Sequence, residues 1–173
     1  MTARHLVLMG PMGSGKTTIG SLVAGRMGRQ LIDSDAQIEA KYGLTGRELV
    51  DRQGVSWLHQ AEAEALCQAV AASEPSVIAA AASTADIEDV AAMLGGEDIV
   101  VVLLIGDAEV LAFRGKSGEH RRPIDVRRSR TLAEYRNNRI LPVADGVIDV
   151  TTSQPEEVAT MVMSVVAKEN GND

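Results

Sequence analysis

Residues 10–17 read Gly10-Pro11-Met12-Gly13-Ser14-Gly15-Lys16-Thr17, a glycine-rich octapeptide set between the apolar run from His5 to Met9 and a segment of helical pattern. It fits G-x-x-x-x-G-K-[ST] at every fixed position, and strand, loop and helix follow in the order that pattern requires. Glycines let the backbone curl so that successive N–H groups point at phosphate oxygens, and the following helix adds the positive end of its dipole. Lys16 then reaches the β- and γ-phosphates, and the Thr17 hydroxyl ligates Mg²⁺. ATP with Mg²⁺ is therefore the expected nucleotide, cradled by Gly13, Ser14, Gly15, Lys16, Thr17 and Thr18.

Outward from this loop, strand-length apolar runs alternate with helix-like segments, the pattern of a parallel sheet covered on both faces. Strands are expected at His5 to Met9, Gln30 to Asp33, Ser76 to Ala80, Ile99 to Ile105 and Gly146 to Val150. Helices are expected to begin near Gly15, Asp35, Arg47, Trp57, Asp86, Ala108, Ser129 and Pro155, with Ser34 and Thr45 as caps. The expectation is an α/β, three-layer fold in which a five-stranded parallel sheet is flanked by helices. All 173 residues fit one domain.

Composition narrows the function. With 45% hydrophobic residues but one Trp, two Tyr and one Phe, the core must be aliphatic, and stacking platforms for single-stranded nucleic acid are missing. A net charge of −7 also speaks against nucleic acid as a partner. The single cysteine, Cys67, excludes an internal disulfide and reads as a buried helical thiol. No signal-peptide pattern opens the chain, and its longest apolar run, Ile99 to Ile105, is far too short for a membrane span, so a cytoplasmic protein without membrane contact, acting as a monomer, is expected. Nine of the seventeen Lys and Arg residues fall between Arg114 and Arg139, against three acidic residues. Most of them, Arg127, Arg128 and Arg130 included, read as a solvated helix face. Arg122, followed by Pro123 in a glycine-bearing loop, reads as functional.

A phosphate loop does not separate a kinase from a GTPase, and the substrate side must decide. Asp33-Ser34-Asp35 ends the second strand, and in an extended chain residues two apart point to the same side. Both carboxylates are thus expected to face the crevice at the strand's carboxyl end. One can hold the metal through water while the other takes the proton of an attacking hydroxyl.

The chain resembles the shikimate kinase family over nearly its whole length. The matching stretches are the loop with its trailing Thr18-Ile19-Gly20, the segment from Leu31 to Glu39, and the helix from Thr45 to Gly54. Arg122-Pro123, Arg139-Ile140-Leu141-Pro142, Ile148-Asp149 and Gln154-Pro155 complete the pattern. The resemblance implies a P-loop kinase fold with acceptor-binding helices at about 34–62 and a basic lid at about 114–126. It implies that Asp33 assists Mg²⁺ and that Asp35 binds the acceptor as its base. It further implies that Arg122 closes over the phosphates, that Arg114, Gln154 and Pro155 border the adenine, and that Arg139 grips the acceptor's carboxylate. Lys16, Asp35 and Arg122 are then the catalytic residues.

Two family features on the acceptor side are changed. The family's Phe-Arg reads Leu58-His59 here, and an imidazole cannot reproduce a bidentate guanidinium clamp on a carboxylate. The family's glycine triplet reads Ala79-Ala80-Ala81-Ala82-Ser83-Thr84, which adds methyl groups where an acceptor ring approaches the backbone. His59, Ala81 and Ala82 therefore stand beside Asp35 and Arg139 as candidate acceptor contacts. The expected activity is transfer of the γ-phosphoryl group of ATP to a hydroxyl of a small hydroxylated carboxylic acid, with shikimate first. The Ala-Ala-Ser-Thr segment and Trp57-Leu58 weakly resemble gluconate kinases, which makes a sugar acid the alternative acceptor. A nucleotide-binding regulator without kinase activity is the alternative from another class. A nucleoside or nucleotide kinase ranks lower, because so few aromatic residues are available to hold a base.

Overall fold

In the computed structural model of the protein, which describes residues 4–116 and 125–171, the apolar runs form one sheet. Its strands are β1 (His5–Met9), β2 (Leu31–Asp33), β3 (Val77–Ala79), β4 (Ile99–Ile105) and β5 (Gly146–Asp149). All neighbours pair in parallel, in the order β2-β3-β1-β4-β5. The helices are α1 (Lys16–Met27), α2 (Ser34–Tyr42), α3 (Gly46–Gln53), α4 (Val55–Val70), α5 (Glu88–Leu94), α6 (Ala108–Lys116), α7 (Val126–Ile140) and α8 (Pro155–Gly171). No helix among the described residues is long and apolar enough to cross a membrane.

The strand period of two distributes the core. Leu6 and Leu8 of β1, with Val100, Val102 and Leu104 of β4, face a cluster with Ile19 and Val23 of α1 and Val158 and Val162 of α8. The alternate residues Val7, Met9, Ile78, Val101 and Leu103 pack on the other face against Leu66 of α4, Val90 and Leu94 of α5, and Ile140 of α7. Burial on both faces is why these strands read as continuous apolar runs rather than as alternating ones. A smaller cluster of Ile38, Leu49 and Ala61, edged by Tyr42, Trp57 and Leu58, joins α2, α3 and α4. The Tyr42 and Trp57 rings meet edge to face, 5.0 Å apart.

Several boundaries differ from the sequence expectation. Thr45 caps α3 in a full capping box with Glu48, as expected, but Asp33 rather than Ser34 caps α2. α7 begins at Val126 instead of near Ser129, because the Asp125 carboxylate accepts from the N–H groups of Arg127 and Arg128. The segment near Asp86 is a 3-10 turn, Ala82–Asp86, and α5 starts only at Glu88. Cys67 is exposed, not buried. The buried residues of α4 include Ala63, Leu66 and Ala69, a stripe at helical spacing that turns position 67 outward.

The chain leaves β1 toward β2 and leaves β4 toward β5, so the connections part above the carboxyl ends of these two central strands. Open parallel sheets bind ligands at such a point.

Candidate active site

The loop after β1 lies at that point, and two of its glycines are required by neighbouring backbone. Gly10 has φ 143° and Gly13 φ 83°. A Cβ would sit 2.4 Å from the Leu104 carbonyl oxygen at Gly10, and 2.0 Å from that of Leu111 at Gly13. α1 opens on Gly15 without a side-chain cap, so its first N–H groups and the positive end of its dipole are left to an anion. Ser14 is 2% exposed, and its hydroxyl has no hydrogen-bond partner among the described residues. An unsatisfied buried hydroxyl costs about 1–3 kcal/mol, a cost that an anion's oxygen in the cradle would remove. Lys16 Nζ donates to the carbonyls of Gly10 at 2.7 Å and Pro11 at 3.1 Å, folded back over the loop.

Thr17, beside Lys16, reaches the second strand. Its Oγ1 donates to Asp33 Oδ2 at 2.6 Å, while Asp33 Oδ1 accepts the Ala36 N–H at 3.1 Å. One carboxylate thereby caps α2 and holds a hydroxyl at the mouth of the phosphate loop. Mg²⁺ in phosphoryl-transfer sites is bound by one or two carboxylates with waters and phosphate oxygens, so this pair of hard oxygen ligands fits the ion. A dedicated cluster is not needed, and no group of three or more His, Cys, Asp or Glu that could hold a metal occurs among the described residues. Asp35 does not alternate with Asp33 along a strand, as the sequence suggested. It lies in the first turn of α2, and both carboxylates line the same cleft all the same.

That cleft has a volume of about 1160 Å³ and runs from the phosphate loop to α4, the Ala82–Asp86 turn and α7. At the nucleotide end, Arg114 donates to the carbonyls of Val150 at 2.8 Å and Thr151 at 3.0 Å, and Thr18, Gln154 and Pro155 line the wall. At the far end the lining includes His59, Ala81 and Ala82. Arg139 is not part of the lining: its Nε donates to the Ala85 carbonyl at 2.7 Å, and its guanidinium lies 5.8 Å from the centre of the Tyr135 ring. Arg122, with most of the expected lid, lies outside the described residues.

Four residues that sequence reasoning passed over complete the far end. Glu62 is buried one turn beyond His59 on α4 and accepts a hydrogen bond from the Ser83 hydroxyl. Burial pushes its carboxyl up to about 7; the Ser83 bond opposes this, and the Asp35 charge adds to it. Arg136 of α7 grips Asp86 through Nε, at 3.0 and 3.2 Å, and through Nη2, at 2.6 Å. His59 Nδ1 is 3.9 Å from Asp86 Oδ2. Burial lowers the His59 pKa below its ordinary 6.5, Arg136 lowers it further, and Asp86 opposes both, so the imidazole is neutral at neutral pH. The i, i+3 spacing of His59 and Glu62 was a readable signal for one helix face. Nothing in the sequence joined either of them to positions 86 and 136.

The family model described as shikimate kinase matches residues 12–167. A shikimate kinase of Streptomyces avermitilis is 30% identical over 167 residues, covering 96% of this chain and 97% of the relative. Among solved structures, a shikimate kinase from Acinetobacter baumannii in complex with shikimate superposes with a TM-score of 0.89 at 24% identity, covering 99% of this chain and 97% of that one. A gluconokinase from Sinorhizobium meliloti reaches a TM-score of 0.63 at 20% identity, covering 96% and 93%. At those identities the structural likeness speaks for the fold.

Proposed function

The chain belongs to the shikimate kinase family, and we propose that it transfers the γ-phosphoryl group of ATP to a hydroxyl of shikimate. The observation that carries this reading is one continuous cleft in which the phosphate loop, the Thr17 and Asp33 pair and the Asp35 carboxylate open onto the same space.

In this reading the cradle N–H groups and the Ser14 hydroxyl bind the nucleotide's phosphates, and Lys16 exchanges its two carbonyl contacts for phosphate oxygens. Thr17 and Asp33 would hold Mg²⁺, which when bound supplies positive charge against the phosphates. Asp35 stands at the start of α2, exposed to the cleft, where it orients the acceptor hydroxyl and takes its proton. The hydroxyl oxygen bonds to the γ-phosphorus as the bond to the β-bridging oxygen breaks, and ADP leaves. Arg122, carried by the family's Arg-Pro pattern, shares the charge on the phosphoryl group with Lys16. Arg114, Gln154 and Pro155 border the base, while His59, Ala81 and Ala82 shape the acceptor end.

ADP release by the purified protein with Mg-ATP, with shikimate and gluconate as parallel acceptors, tests the reading. Turnover should appear with shikimate and fall by at least about a thousandfold in Lys16→Ala, with the fold retained. Turnover of gluconate but not shikimate would move the assignment to the sugar acids. ATP binding without transfer to either would leave a nucleotide-binding regulator, and activity retained in Lys16→Ala would refute the assigned chemistry.

A further inference from the structure

The acceptor end of the cleft, among the described residues, gathers hydroxyl-binding groups without a surplus of positive charge. The Lys and Arg side chains lining the cleft there are Lys16, Arg114, Arg130 and Arg136. Lys16 and Arg114 belong to the nucleotide end, as their carbonyl contacts show. Arg130 lies six residues before Arg136 on α7, about 9 Å away along the helix axis. Of the four, Arg136 stands against the Ala82–Asp86 turn, and its charge is already met: Asp86 accepts from its Nε and Nη2 in a bidentate pair. At His59 and at Glu62 these two charges act with opposite sign, Arg136 the stronger, so each position feels only the remainder.

Two further carboxyl groups border the same space, Asp35 and Glu62. Glu62, hydrogen-bonded by Ser83 and pushed up to about 7 by burial, is only partly ionised at neutral pH, and His59 is neutral there. With Arg136 and Asp86 offsetting each other, Asp35 and the ionised fraction of Glu62 leave a negative balance. A carboxylate on the acceptor gains little from such a field. What this end offers instead suits uncharged oxygen: a carboxylate accepts, a partly protonated carboxyl does either, and a neutral imidazole both donates and accepts. The half-buried Ala81 and Ala82 add methyl groups to the lining, against which the C–H face of an acceptor can pack.

We propose that the cleft also takes an uncharged polyol as phosphoryl acceptor, a second activity beside the one on a carboxylated acceptor. The inference rests on the reading above that this cleft transfers the γ-phosphoryl group of ATP. The step balances in the same way: the polyol's oxygen bonds to the γ-phosphorus, the bond to the β-bridging oxygen breaks, ADP leaves, and the hydroxyl proton passes to Asp35. A cation that no carboxylate opposed would favour a charged acceptor over a neutral isostere by about ten- to a hundredfold. Here Asp86, from a turn fifty positions away, takes up that advantage inside the protein before any ligand arrives.

The test compares kcat/KM for shikimate and for its counterpart in which hydroxymethyl replaces the carboxylate, an uncharged polyol on the same ring. ADP release with Mg-ATP gives the rates, and mass spectrometry identifies the phosphorylated product. Wild type should favour shikimate by no more than about tenfold. His59→Arg adds a second cation against the one Asp86 carboxylate, and Asp86→Asn removes the counter-charge. Each should move the ratio toward shikimate by at least about tenfold. A larger preference in wild type, or a ratio unmoved in either variant that folds, would overturn the inference. Turnover of the polyol without turnover of shikimate would overturn the reaction proposed above and leave this activity standing. Turnover of shikimate alone would do the reverse, and silence on both would overturn both.

Discussion

Glu62→Gln should remove a pH dependence of stability that the wild type carries between about pH 5 and about pH 8. The carboxyl is buried, and its pKa rises from an ordinary 4.5 to about 7, mainly through burial. A folded-state pKa above the unfolded one means that the native protein binds this proton more tightly. The stabilisation is fully present below the unfolded value and is lost as pH climbs through about 7. At about 1.4 kcal/mol per pH unit, the whole effect amounts to about 3 kcal/mol, of which about 2.5 kcal/mol falls between pH 5 and pH 8. Glutamine keeps an oxygen for the Ser83 hydroxyl and cannot ionise. Urea unfolding of both proteins at several pH values isolates the contribution, because every other titrating group cancels in the difference. Relative to the variant, the wild type should lose about 2.5 kcal/mol as pH rises. Parallel stability curves, or a difference that grows in the opposite direction, would refute the burial argument for Glu62.

Gly13→Ala should unsettle the phosphate loop, since the added methyl meets the Leu111 carbonyl oxygen at 2.0 Å from a backbone with φ 83°. A loss of at least about 2 kcal/mol, read by urea unfolding and accompanied by weakened ATP binding, is expected; unchanged ATP affinity would contradict it. Thr45→Ala removes the hydroxyl that accepts the Glu48 N–H at 3.3 Å at the start of α3. It should cost about 1 kcal/mol, a fall of about 2–4 °C in Tm by calorimetry, and an unchanged Tm would show that the box contributes nothing.

The sheet was legible because its physics is local. β4 matched its expected bounds to the residue, since a run of seven apolar residues without Gly or Pro leaves a buried strand little freedom. The edge strand β2 came out one residue shorter than expected: its residues are only half-buried, so pattern constrains its start weakly. Helix starts slipped where two capping residues stood close together. Asp33 and Ser34 are both good N-caps, and the choice between them follows from the Asp33 carboxylate lying between the Ala36 N–H and the Thr17 hydroxyl. That second partner comes from another element, so reading the segment by itself could not settle the cap.

The two ends of the cleft differ in the same way. The phosphate cradle, residues 10–18, lies within one loop and the first turn of α1, and backbone clashes dictate residue type there, as at Gly10 and Gly13. The acceptor end is assembled from three separate segments, positions 59 and 62, positions 83 and 86, and position 136, which no local spacing joins to one another. Arg136 illustrates the consequence: in sequence it is one of nine basic residues on a stretch that reads mostly as a solvated face, and its bond to Asp86, fifty positions away, is visible only in the fold. A side chain whose partner comes from another element carries no pattern that its own segment could display. An altered motif such as Leu58-His59 is therefore weak ground for inferring a lost function. What decides is the site as it is assembled in space, and at this cleft Arg136, gripped by Asp86, borders the same space as Asp35 and His59.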